Sequence, residues 1–164
     1  MEDLKIRFAT PEDKKHLVKW WLEEKEILKW FPMSNEREVE DAANICMSYS
    51  KVKAVLIAEY QNEVCGIANL YLQMYQKFAH HALFAVIVSK NKRGKGIGTV
   101  LMEELLALAK ERFNLKMLNL EVYDGNPAIS LYQRLGFEKC GYQKNFIKEP
   151  DGTYLGKILM QKKL

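Results

Sequence analysis

The sequence predicts an α+β fold: one mixed, mostly antiparallel sheet flanked by helices, in the order β-α-α-β-β-β-α-β-α-β-β. Three observations lead there. The apolar residues switch between alternation and helical spacing in that order along the chain. Three strand-like runs follow one another mid-chain with no helix between them, so the sheet contains a meander and is not built only of parallel crossovers. The 164 residues hold no linker, repeat or low-complexity segment, so residues 1–164 read as a single domain. A chain of this length buries roughly 70% of its unfolded surface and needs no disulfide or metal staple.

LKIRF (4–8) alternates and reads as the first strand. TPEDKKHLVKWWLEEKE then opens a helix. Thr10 suits the N-cap, Pro11 the first helical position, and Asp13 stands three residues after the cap. Leu17, Trp20, Trp21 and Leu28 recur at helical spacing until Pro32 breaks the pattern, and Ser34 or Asn35 caps a second helix, EREVEDAANICMSY. KAVLIAEY (53–60), EVCGIANLYLQMY (63–75) and HHALFAVIVS (80–89) are strands, and Gln61-Asn62 has the length of a tight hairpin turn. A glycine loop leads into the helical run VLMEELLALAKERF. KMLNLEVY (116–123) is a strand, NPAISLYQRLGF (126–137) a short helix ending at Gly136, and EKCGYQKNFIKE and TYLGKILMQKKL two strands joined by the turn PDG (150–152).

Composition narrows the function. The net charge is +4, from 25 basic and 21 acidic residues, which suits an anionic small ligand but lacks the dense basic face of a nucleic-acid binder. Cys46, Cys65 and Cys140 are odd in number and far apart, with no CxxC pair, so they read as reduced core thiols of a cytoplasmic protein and not as a disulfide framework or metal site. The N-terminus MEDLKIRFAT is acidic and then amphipathic, without an apolar signal segment. No 18-residue apolar run occurs anywhere, so no membrane association is expected.

The stretch NKRGKGIGTV (91–100) carries the chemistry. Gly94, Gly96 and Gly98 alternate with Lys92, Arg93 and Lys95 just before a helix. A helix N-terminus has unpartnered N–H groups and partial positive charge; glycines let a ligand approach the backbone and admit positive φ. The expected ligand is a phosphate, most naturally a pyrophosphate. The loop does not fit the G-x-x-x-x-G-K-[ST] pattern of Walker A. Nor is it a dinucleotide fingerprint, because Thr99 stands where a glycine or alanine is needed and the loop lies mid-chain after a meander. Alone, it also fits a glycine-rich turn with solvated lysines.

Two segments together resemble the GNAT superfamily of acyl-CoA-dependent N-acyltransferases. The family loop [QR]-x-x-G-x-[GA] reads here Arg93-Gly94-Lys95-Gly96-Ile97-Gly98. The family's later segment N-x-x-A-x-x-L-Y-x-x-x-G-F is matched at Ala128, Leu131, Tyr132, Gly136 and Phe137. The element order agrees from residue 4 to the C-terminus. Counted back from Ala128 the family asparagine falls at Gly125, whereas this chain has Asn126, which implies a loop one residue shorter.

The resemblance implies acetyl-CoA as cosubstrate, no metal, and a pyrophosphate lying on the amides of residues 93–98, with Asn126 as a further cofactor contact. The strand segment Val86, Ile87 and Val88 would pair with the pantetheine arm where it splays from its neighbour, often at a bulge, and Val86 or Val88 would offer an N–H to the thioester carbonyl. Tyr132 would be the general acid that protonates the departing thiolate; the competing reading is a core tyrosine. Glu121, in the apolar strand LNLEVY, would be the base if half-buried with a raised pKa, and otherwise a solvated strand glutamate. Leu83 stands where some relatives carry an acidic residue. His80 and His81 have the right pKa range but read first as strand-edge residues.

The acceptor, a primary amine of a small molecule or peptide, would enter between Trp20, Trp21, Trp30 and Phe31 on one side and Tyr142 to Tyr154 on the other. Two of the three tryptophans are expected in the core. Glu23, Glu24, Glu26, Glu36, Glu38 and Glu40 make the N-terminal helices acidic, either to attract a cation or as solvated faces. The leading expectation is an N-acetyltransferase acting by direct attack in a ternary complex. The alternatives are a non-catalytic acyl-CoA sensor of the same fold and a nucleotide-dependent enzyme. Monomer and homodimer both stay open, the final strands leaving a sheet edge.

Overall fold

The computed structural model describes residues 3–164. Met1 and Glu2, the start of the acidic N-terminus, lie outside the described residues. Seven strands form one sheet in the order β1-β2-β3-β4-β5-β7-β6: β1 (Leu4–Phe8), β2 (Val55–Tyr60), β3 (Glu63–Leu72), β4 (His81–Val88), β5 (Met117–Tyr123), β6 (Glu138–Lys148) and β7 (Tyr154–Lys163). All pairings are antiparallel except β4 with β5. The helices are α1 (Lys14–Glu23), α2 (Lys25–Leu28), α3 (Glu36–Ser48), α4 (Ile97–Glu111) and α5 (Ile129–Arg134).

Local chemistry explains most boundaries. Thr10 and Asp13 form the expected capping box, the Asp13 carboxylate accepting from the Thr10 amide and hydroxyl and from Arg7 at 2.8–3.1 Å. Asn35 caps α3, its Oδ1 accepting from the Glu38 amide at 3.0 Å. Gln61 and Asn62, at φ 54° and 62°, make the two-residue turn between β2 and β3, the left-handed pair that matches strand twist. Gly136, at φ 84°, ends the α5 segment.

The first helix is shorter than its sequence pattern. It breaks at Glu24, whose carboxylate accepts from the Lys90 amide at 3.2 Å, and α2 then buries Ile27, leaving Leu28 only partly covered. Helix α4 begins at Ile97, three residues before the apolar run, so Gly98 lies inside its first turn.

Two apolar layers sandwich the sheet. One packs Leu101, Met102, Leu105 and Ala109 of α4 against Phe84, Leu118, Leu120 and Ile158. The other packs Leu17, Trp20 and Trp21 of α1 and Val39, Ala43 and Met47 of α3 against Ile57, Ile67 and Ile87. Trp20 and Trp21 are thus the two core tryptophans. Cys46 and Cys65 are buried, but Cys140 is exposed. It sits on β6, an edge strand that is open to solvent along nearly its whole length, so the expectation of three core thiols fails there. Among the described residues no helix is long and apolar enough to cross a membrane.

Candidate active site

Parallel strands β4 and β5 pair only at residues 81–83 against 117–119 and then part. β4 stays paired with β3 through Val88, without a register shift, so the split opens without a bulge. The gap is the root of a cleft of about 940 Å³, within the range of small-molecule sites. Residues 84–88 and 120–123 form its two strand walls.

The glycine loop closes one end. Gly94 (φ 73°) and Gly96 (φ 77°) both take left-handed conformations, and Gly96 caps α4. A Cβ on Gly94 would meet open space, so its glycine serves the backbone turn and not packing. The amides of residues 94–98 donate to no carbonyl among the described residues, whereas the Arg93 amide is spent on Lys90. Free donors at the start of a fifteen-residue helix favour an anion, and they begin one residue later than the sequence implied. The Arg93 side chain folds back, Nε donating to the Val88 carbonyl at 2.9 Å. Lys95 points away, its ammonium over the Tyr60 ring, and does not line the cleft. Lys92 lines it but is paired with Glu63 at 2.9 Å.

Val86, Ile87 and Val88 line the cleft, with Val86 and Val88 packing toward α4 and Ile87 toward α1 and α3. Tyr132 also lines it, 8% exposed, its ring edge-on to Phe84 and Phe137. Burial pushes its phenol up to about 12. Asn126 lines the cleft too, but its Oδ1 accepts from the Ala128 amide at 2.9 Å and shapes the turn into α5.

Glu121 faces the cleft from the side opposite α4, since Leu120 and Val122 beside it fill the α4 layer. Its carboxylate is 48% exposed and ion-paired at 2.9 Å with Lys157, whose side chain is 10% exposed and whose ammonium lies 3.7 Å over the Phe146 ring. A carboxyl about half open to solvent is thus tethered to a buried lysine. His80 and His81 lie outside the cleft: His81 Nδ1 meets Asn119 at 3.1 Å where β4 and β5 are still paired.

Sequence reasoning missed Lys157 and Tyr71, which also line the cleft. A lysine inside the apolar run YLGKILM was the available signal for the first; the second carries none. Trp21, Trp30 and Phe31 line the acceptor side as expected, while Trp20 is core only; from the expected Tyr142 to Tyr154 span, Phe146 and Ile147 line it and the two end tyrosines do not. None of the six N-terminal helix glutamates lines the cleft; Glu23, Glu26 and Glu40 pair with lysines of their own helices or neighbours, and Glu24 is spent on Lys90.

The family model described as the acetyltransferase (GNAT) family matches residues 15–137. An N-alpha-acetyltransferase of Sulfurisphaera tokodaii is 32% identical over 113 residues, 62% of this chain and 66% of the relative. A streptothricin acetyltransferase of Streptomyces lavendulae is 49% identical over 116 residues, 70% of this chain and 59% of the relative. The chain spans about two thirds or less of the length of the curated relatives it matches. Among solved structures, a ribosomal-protein-alanine N-acetyltransferase from Brucella melitensis superposes with a TM-score of 0.84 at 30% identity, covering 98% of this chain and 99% of that one.

Proposed function

The chain belongs to the GNAT family of acetyltransferases, and from that premise we propose that it transfers an acetyl group from acetyl-CoA to a primary amine by direct attack in a ternary complex. The observation that carries this reading is the parting of β4 from β5 directly beside the free amides of residues 94–98. One cleft thereby offers a strand edge for the pantetheine amides and a helix N-terminus for the pyrophosphate.

In this mechanism the acceptor nitrogen, as free amine, attacks the thioester carbon. An amide of the unpaired β4 edge, Val86 or Val88, donates to the carbonyl oxygen as it gains charge. The carbon–sulfur bond then breaks, the amide forms, and the nitrogen's surplus proton passes toward Glu121 directly or through water. Tyr132 stands for the leaving thiolate. A phenol held at about 12 is a weaker acid than a thiol at about 8.5, so Tyr132 stabilises the developing thiolate chiefly by hydrogen-bond donation and solvent completes the proton transfer. Asn126 acts by shaping the loop that brings α5 to the cleft.

The test is thiol release from acetyl-CoA against a panel of primary amines. Acceptor-dependent release with acetylated product supports the proposal. Tight acetyl-CoA binding without release from any amine would identify a sensor instead.

A further inference from the structure

Lys157 is a costly residue for its place. It stands buried in the middle of β7, between Gly156 and Ile158. Ile158 fills the α4 layer, so Lys157 lies on the opposite face, the one that carries Glu121. Strand pairing brings the two together. Leu159 stands opposite Glu121 and Lys157 opposite Tyr123, so Lys157 and Glu121 are diagonal neighbours on one face. Lys157 Nζ donates to Glu121 Oε2 at 2.9 Å, the one hydrogen bond of either side chain among the described residues.

The third member of the group comes from β6. Gln143 pairs with Lys157 and Ile147 with Leu155, so residues 144–146 stand against Gly156 alone. Asn145 takes a left-handed conformation, φ 54°, within this bulge. A bulge re-aims the side chains beside it, and here the Phe146 ring lies 3.7 Å from the Lys157 ammonium.

Stability does not account for this arrangement. A lysine ammonium is a strongly hydrated point charge with three donors. Here it gives up water for one carboxylate and one aromatic ring, and an apolar side chain of the same length would fill the space without that cost. What the ammonium does supply is a fixed point for a carboxylate. A free glutamate samples several rotamers and loses that freedom each time it takes a proton at one place. With Oε2 tied to a buried lysine, Glu121 keeps one position on the cleft wall, while Oε1 has no donor among the described residues.

Resting on the acetyltransferase reading and on Glu121 as its proton acceptor, we propose that Lys157 is a positioning residue for the transfer. It acts through Glu121, and Phe146 and the β6 bulge hold it in turn. The competing role is structural, a clamp between the last hairpin and β5.

The experiment is a double-mutant cycle of Lys157→Met with Glu121→Gln. Thiol release from acetyl-CoA is measured with ethanolamine, benzylamine, spermidine and an alanyl peptide, and the fastest of these serves as acceptor. In the otherwise wild-type protein, Lys157→Met should lower kcat about tenfold, with KM for the acceptor and calorimetric affinity for acetyl-CoA within about twofold. In the Glu121→Gln protein the same change should lower kcat less than about twofold, because the carboxylate it positions is gone. Lys157→Gln takes its place in the cycle if the methionine variant does not fold. An unchanged kcat in Lys157→Met, or equal losses in both backgrounds, overturns the proposal and leaves Lys157 as a clamp. Full turnover by Glu121→Gln also overturns it, by removing the group it acts through, and leaves the acetyltransferase reading standing. Wild-type protein that binds acetyl-CoA but releases no thiol overturns that reading and this proposal with it.

Discussion

Tyr132 fills two needs at once. Its ring packs between Phe84 and Phe137, while its hydroxyl belongs to a residue that lines the cleft. Tyr132→Phe keeps the ring, so Tm should stay near wild type while kcat falls about 100-fold, the lower end of general-acid effects, because a phenol at about 12 helps mainly by hydrogen bonding. Burial raises this pKa, so the hydroxyl stays protonated to higher pH than usual. The wild-type rate should show no alkaline fall through pH ~10, where an ordinary tyrosine is half ionised. A pH–rate profile on both proteins checks these expectations. Glu121 is bound to a partner whose own surroundings are apolar. Glu121→Gln should lower kcat at least tenfold with acetyl-CoA affinity unchanged by calorimetry. It should also lower Tm by only ~3 °C, since the Glu121 end of the pair is half exposed and a glutamine oxygen still accepts from Lys157, leaving a loss of about 1 kcal/mol.

At the level of elements, the glycine loop separates ligand contact from backbone strain. Gly94 and Gly96 need positive φ, so substitution there disturbs the loop itself. Gly98 does not: it is helical, and a Cβ would meet Leu131 and Val88 at 3.6 and 3.7 Å, ordinary contacts. Gly98→Ala should therefore fold with an unchanged Tm and yet bind acetyl-CoA at least tenfold more weakly by calorimetry, if the pyrophosphate rests on that turn. The junction of β1 and α1 depends on Asp13. Burial pushes its carboxyl up, but the hydrogen bonds from Arg7 and Thr10 together outweigh it and hold it below the usual carboxylate value. A lowered pKa means the stabilisation is present above the ordinary value of 3.8 and is lost as pH falls below it. Asp13→Asn should cost about 3 kcal/mol, or ~8 °C in Tm at neutral pH, with the gap to wild type closing in acid. Thermal melts from pH 7 to pH 3 measure this.

Across the whole molecule, the split in the sheet is the organising feature. The antiparallel pairing of β4 with β3 holds one wall, and that of β5 with β7 holds the other, so the strands can part without unravelling. Acetyl-CoA would bridge them. Hydrogen exchange should slow on its addition at residues 84–88 and 94–98, with β1 and β2 unaffected; protection spread evenly over the sheet would contradict a ligand lodged in the split. Much of this frame was legible beforehand. Every strand, the hairpin turn at Gln61-Asn62 and the caps at Thr10 and Asn35 follow from local periodicity and turn chemistry. The break at Glu24 was not, because it answers to Lys90, sixty-six positions away.

The sequence by itself determined the element order and the placing of glycines and free amides at the mouth of α4, because periodicity, capping and left-handed turns act over a few residues. It also brought Tyr132 onto a short helix ending at Gly136. Only the tertiary structure decided that β7 lies inside β6 and next to β5, which sets Lys157 against Glu121. It alone decided that His80 and His81 lie at the paired end of β4, away from the cleft. Those outcomes depend on strand order and sheet face, which are fixed by packing between segments far apart in the chain and leave no local pattern to read.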